Sequence, residues 1–129
     1  MIINGILNPS VLSLLARVRH TNLLVIADRG FPFWTQIETI DLSLVDDIPT
    51  VLQVLDVVRV NFKVRRAFMA EEFKLHNTGQ VQGRFSGALT GVDVVFEPHN
   101  QLKTRVPDAI GLIRTGDTIQ YANIILESG

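Results

Sequence analysis

Leu23-Leu24-Val25-Ile26-Ala27 is an unbroken apolar run, closed by Asp28 and preceded by the polar stretch Arg19-His20-Thr21-Asn22. A run this short with polar ends reads as a strand buried on both faces, the habit of parallel sheets. Helices must then cover both faces, and the rest of the chain supplies candidates. Asn8-Pro9 is a helix start, a capping side chain before a residue tolerated at the first helical position, and Val11, Leu12, Leu14, Leu15 and Val18 keep helical spacing. A first helix is expected from Pro9 to Arg19. Val51, Leu52, Val54, Leu55 and Val58 repeat the pattern up to about Asn61, with Asp46 and Asp47 read as charges favouring that helix's start rather than as paired catalytic carboxylates.

Glu38–Leu42, Val64–Ala70, Val92–Phe96, Ala109–Ile113 and Tyr121–Leu126 read as further strands, and Glu71–His76 as a helical turn or more. Pro98 opens a short helix carrying His99 and Lys103, four apart and hence on one face. The stretch through Gly79, Gly83, Gly87 and Gly91 carries too much glycine for an assignment, and Asp28 to Trp34 reads as a shaped loop. Strands alternating with helices predict an α/β three-layer domain around a largely parallel sheet, with sites near the carboxyl ends of the strands. At 129 residues, one domain spanning 1–129 is expected.

Composition narrows the function classes. A net charge of −1 without a Lys/Arg stripe argues against nucleic acid and anionic membrane surfaces as partners. No stretch approaches the roughly 20 apolar residues of a membrane span, and the absence of cysteine suits a reducing compartment, so a cytoplasmic protein is expected. An apolar fraction of 47% is high for this length and points to subunit contacts. Dinucleotide, phosphate-loop, H-E-x-x-H and serine-elbow motifs are absent, and three histidines without cysteine make a poor transition-metal set, so no cofactor or metal is expected.

Three polar clusters remain: His20 and Asp28 flanking the apolar run, His99 with Lys103, and Tyr121-Ala122-Asn123. Imidazole, carboxylate, ammonium, phenol and amide groups together can move protons and hold a polyhydroxylated ligand such as a sugar. Each also has a plainer reading. His20 serves equally as a helix-end cation, Asp28 as a turn former, Tyr121 and Asn123 as one face of a solvated strand, and His99 with Lys103 as a solvated helix face. His76 with Glu71 and Glu72 is read only as solvated surface.

Over nearly its whole length the chain resembles the D-ribose pyranase and fucose mutarotase family. The resemblance is carried by Gly5-Ile6-Leu7-Asn8, His20-Thr21, Val25-Ile26-Ala27-Asp28 with Gly30 and Pro32, Ile40-Asp41-Leu42-Ser43-Leu44, Ala70-Glu71-Glu72, Ile113-Arg114-Thr115-Gly116 and Tyr121-Ala122-Asn123-Ile124-Ile125-Leu126. It implies a cofactor- and metal-free enzyme interconverting ring or anomeric forms of a monosaccharide, ribose favoured and fucose or another sugar as alternatives. His20 matches the family's catalytic histidine; Asp28, His99, Lys103, Tyr121 and Asn123 match positions lining its sugar site. A homo-oligomeric ring, a pentamer or stacked pentamers, is also implied. Arg29 and Phe33-Trp34 stand where the family has smaller residues, which bears on the sugar accepted. The competing class is a non-catalytic monosaccharide-binding or transport-accessory protein; a third is a structural oligomer without a working site.

A five-residue strand between His20 and Asp28 spans roughly 17 Å, too far for both to touch one small sugar from one chain. A site shared between subunits is expected.

Overall fold

The computed structural model describes residues 1–129. Helix α1 (Pro9–Arg17) is capped by Asn8, whose side-chain oxygen accepts from the Val11 amide at 3.0 Å, and it buries Val11 and Leu14. It ends two residues before the expected Arg19, because the Arg19 amide is captured by the Asn22 side chain at 2.8 Å. The chain then turns through Thr21, at φ +67°, into β1 (Leu23–Ala27). After β2 (Glu38–Asp41), α2 (Val51–Asn61) starts on a capping box between Thr50 and Gln53.

No acidic residue occupies the first turn of α2. The carboxylate at that helix start is instead Asp117, which accepts from the Val51 amide at 2.9 Å. Asp46 pairs with Arg29 at 2.6 Å, and Asp47, at φ +63°, accepts from the Thr118 amide at 2.9 Å. The expected helix-start role of Asp46 and Asp47 is therefore corrected: a longer-range carboxylate takes it.

β3 (Val64–Ala70), α3 (Glu71–His76), α4 (Gly79–Ala88), β4 (Asp93–Glu97), α5 (His99–Arg105) and a 3-10 turn (Val106–Asp108) follow, and β5 (Gly111–Arg114) and β6 (Ile124–Ser128) close the chain. The glycine-rich segment is thus a helix. Thr78 caps it, Phe85 buries against Phe73 with ring centroids 4.8 Å apart, and Arg59 donates to the Ala88 and Thr90 carbonyls at its end, so tertiary contacts outweigh the glycine penalty.

Two expected strands are shorter than read. The 3-10 turn around Pro107 delays β5 to Gly111, and β6 starts only at Ile124. Tyr121 lies in the left-handed region, φ +57°, within a turn. Tyr121 and Asn123 accordingly do not alternate along a strand face, which corrects that reading.

The six strands form one sheet in the order β2-β5-β1-β6-β3-β4. All run parallel except β6, which is antiparallel to both β1 and β3. Alternation along β1 divides the interior: Leu24 and Ile26 join the core under α1, α2, α3 and α4, while Val25 and Ala27 join Phe68, Ile125, Leu102 and Val106 under α5. Helices thus cover both faces in three layers. No helix is long and apolar enough to cross a membrane.

Candidate functional site

At the carboxyl edge of the parallel strands lies a cleft of about 450 Å³, lined by the segments Asp28–Pro32 and Asp117–Tyr121 together with His99 and Asn123. This is where ligands bind open α/β sheets. Three arrangements build it.

The first holds Asp28, the residue after β1. Its amide donates to the Asn123 side-chain oxygen at 2.8 Å, and its carboxylate accepts from the Gly30 amide at 3.0 Å, closing a tight turn. Arg114, the last residue of β5, donates to the carbonyls of Asp28, Arg29 and Pro32 at 3.4, 3.1 and 3.3 Å and so pins the loop. Burial raises the Asp28 carboxyl above its ordinary pKa; hydrogen bonds from the Gly30 and Phe31 amides and the Asn123 side chain oppose this, and the nearby Asp117 charge adds to it.

The second is the Thr115–Ile119 segment. The Thr115 amide and hydroxyl both donate to the Ala27 carbonyl, at 2.9 and 2.8 Å. Gly116 follows because a Cβ there would drive into the Val45 carbonyl oxygen. Asp117 is buried, with its carboxylate shared between the Val51 and Ile119 amides and its carbonyl accepting from the Arg29 amide at 3.1 Å.

The third is the aromatic wall. His99 opens α5; its ring meets Phe31 and Tyr121 edge-on, at centroid distances of 6.1 and 5.2 Å. Its Nδ1 is buried without a hydrogen-bond partner. Burial first, then the Lys103 charge, lowers its pKa, against the opposing pull of Glu72 and Asp28. Both effects favour the neutral imidazole. Tyr121 also meets the His76 ring, with centroids 5.2 Å apart.

Asp28, His99, Tyr121 and Asn123 are thus gathered in one cleft within one chain. Lys103 lies outside the lining, half-buried one turn along α5, and reaches the site as a charge on His99. His20 is exposed in the turn before β1, at the opposite end of that strand from Asp28, and does not line the cleft. Of the residues expected to set specificity, Arg29 lines the cleft, whereas Trp34 sits behind Phe31 at 6.2 Å and Phe33 points to solvent. Sequence reading did not nominate Asp117, Thr118 or Gln120, which line the cleft. Only position gives Asp117 a signal, an acid just past a strand's carboxyl end, whereas Glu72 and His76 lie outside the lining, His76 exposed as expected.

Comparison with known proteins bears directly on this arrangement. The family model described as "RbsD / FucU transport protein family" matches residues 1–129. The chain is 42% identical over 126 residues to the D-ribose pyranase of Geobacillus kaustophilus, covering 98% of this chain and 92% of the relative, and 37% identical to that of Limosilactobacillus fermentum, covering 98% and 95%. Among solved structures, Bacillus subtilis RbsD complexed with D-ribose superposes with a TM-score of 0.93 at 32% identity, covering 100% of this chain and 98% of that one. The fucose mutarotase of Streptococcus pneumoniae in complex with L-fucose shares the fold, with a TM-score of 0.80 at 20% identity over 95% and 92% of the two chains. With its whole length matched by the family model and its fold shared with these structures, the chain belongs to the RbsD/FucU family.

Proposed function

We propose that this chain is an isomerase of the D-ribose pyranase type, interconverting ring forms of a monosaccharide, with ribose the favoured substrate, by acid–base chemistry without a cofactor. The observation that carries the reading is the cleft in which Asp28, His99, Tyr121 and Asn123 converge, in a chain 42% identical to a D-ribose pyranase.

Ring opening removes the proton of the anomeric hydroxyl, forms the C1 carbonyl, breaks the C1–O5 bond and delivers a proton to O5. Attack of the C4 hydroxyl on C1 then closes the furanose, with the protons returned. Asp28 and Asn123 hold hydroxyls, the His99 ring forms part of the wall against which the sugar lies, and the Tyr121 phenol serves as donor or acceptor. Lys103 contributes positive charge behind His99. Acid–base help of about 10²–10⁴-fold is sufficient for so facile a reaction.

His20 is the proton-transfer group in this account, supplied to the cleft by a neighbouring subunit. Its exposure and its position at the far end of β1 from Asp28 support that arrangement. The resemblance implies a ring-shaped homo-oligomer, pentamer or decamer, with sites between subunits, and apolar side chains left in solvent, among them Ile3, Leu44, Val60 and Leu75 at 98, 76, 84 and 78% exposure, support subunit contacts. One domain, residues 1–129, carries the site, in the cytoplasm.

The second reading is a sugar-binding accessory of transport, the role for which the RbsD / FucU transport protein family is described. NMR magnetisation exchange on ribose and fucose, with the intact protein and with His20→Ala, separates the two. Accelerated exchange that disappears in the variant supports the isomerase; ligand broadening without accelerated exchange supports the accessory.

A further inference from the structure

Helix α5 has no capping side chain of its own: its N-cap is Pro98, and the His99 amide is the first donor the helix leaves open. Glu72 fills that place from a different helix. Both of its carboxylate oxygens accept from the His99 amide, at 3.0 and 3.1 Å. The sheet dictates this meeting. β3 and β4 are parallel neighbours in which Ala70 is registered on Glu97, and Glu72 and His99 each lie two residues past that pair, where both strands have just become helices. A carboxylate on an open amide at a helix start is a charge-assisted bond, about twice as strong as a neutral one.

His99 is also the residue whose ring is wedged between Phe31 and Tyr121 and whose Nδ1 is buried without a partner. A shift of its backbone would carry the imidazole out of both contacts. We propose that Glu72 is a positioning residue of the sugar site, fixing through the His99 backbone amide the place of the imidazole relative to Tyr121 and Asp28. For turnover the inference rests on the isomerase reading; for the position of His99 it does not. The charged groups bearing on that imidazole are Lys103 on its own helix, Glu72 on α3 and Asp28 after β1. The Tyr121 phenol also faces it, with His76 beyond. Glu72 is thus both an anchor and an anion for His99, and the two roles separate by substitution.

The test compares Glu72→Gln and Glu72→Ala with the wild type, reading the His99 amide proton shift, the His99 imidazole titration and ribose ring exchange by NMR. Glu72→Gln keeps an oxygen acceptor: the amide shift and the ribose concentration for half-maximal rate should stay near wild type while the imidazole titration midpoint falls, because an anion that favoured its charged form is gone. Glu72→Ala should move the amide upfield, lower the midpoint as well and slow exchange by about 10²-fold, the scale of a misplacement of about 1 Å. A Glu72→Ala protein with wild-type amide shift and exchange rate overturns the proposal; should Glu72→Ala not fold, Glu72→Asp, whose carboxylate is one methylene shorter and is expected to move the amide shift and slow exchange, is read in its place, and a wild-type His99 amide shift and exchange rate there overturn it as well. A wild type that leaves ribose exchange unaccelerated would sink the isomerase reading, while the His99 resonances still decide the role of Glu72.

Discussion

The Asn123 side-chain oxygen accepts the Asp28 backbone proton at 2.8 Å, joining the carboxyl end of β1 to the turn before β6 across 95 residues of sequence. One side chain thereby fixes two of the residues that line the cleft. Asn123→Ala leaves the Asp28 amide without its partner, and the cost of a part-buried unsatisfied donor is about 1–3 kcal/mol. Urea unfolding should register that loss, and NMR titration should register weaker ribose binding.

Burial makes the charged form of Asp28 costly to the fold. Its folded pKa is raised, mainly by burial, so the native state binds more protons than the unfolded one between the ordinary carboxylate value and the raised one. Stability contributed by the protonated form is complete below the unfolded value and is lost as pH rises through the folded value. Asp28→Asn should therefore be more stable than wild type at pH 7, with the advantage shrinking as pH falls toward the acid side of that window, and it should lose ring exchange. Denaturation midpoints at pH 7 and in the acid range check the sign.

His99 behaves in the opposite sense. Its lowered pKa means that the native state binds fewer protons in the window just below the ordinary imidazole value, so its contribution to stability is complete above that value and lost as pH falls through the folded one. Lys103 is one cause of the lowering, second to burial. Lys103→Gln should move the His99 titration upward, as read from its Cε1 proton shift; a downward move would contradict the placement of that charge.

Arg114 and Gly116 shape the cleft without entering its chemistry. Arg114→Ala releases three carbonyls of the Asp28–Pro32 loop, and a loss of about 1 kcal/mol in stability is expected together with weaker sugar binding. Gly116→Ala forces a methyl against the Val45 backbone oxygen, and about 1–3 kcal/mol of overpacking should appear in thermal unfolding.

Much of this fold is legible in the sequence because periodicity reports burial directly. The run Leu23–Ala27 and the spacing from Val51 to Val58 each announce their element. Tyr121-Ala122-Asn123 is misread as strand because it continues smoothly into Ile124-Ile125-Leu126, while what bends it away is the bond from Asn123 to Asp28, invisible locally. α4 hides behind its glycines, since the burial of Phe85 against Phe73 is what makes it a helix. In the site, side chains on strand ends could be nominated from pattern and resemblance. Glu72 could not, because its partner is a backbone amide brought alongside by strand register.

The central claim is that an active site needs the cleft of one subunit and His20 of another. Inactive His20→Ala and Asp28→Asn proteins should be mixed under conditions of subunit exchange and assayed for ribose ring exchange by NMR. Random mixing restores an intact His20 and an intact Asp28 at roughly a quarter of shared sites, so activity should return to about that fraction of wild type. A mixture that assembles yet stays as inactive as its parents would contradict the account.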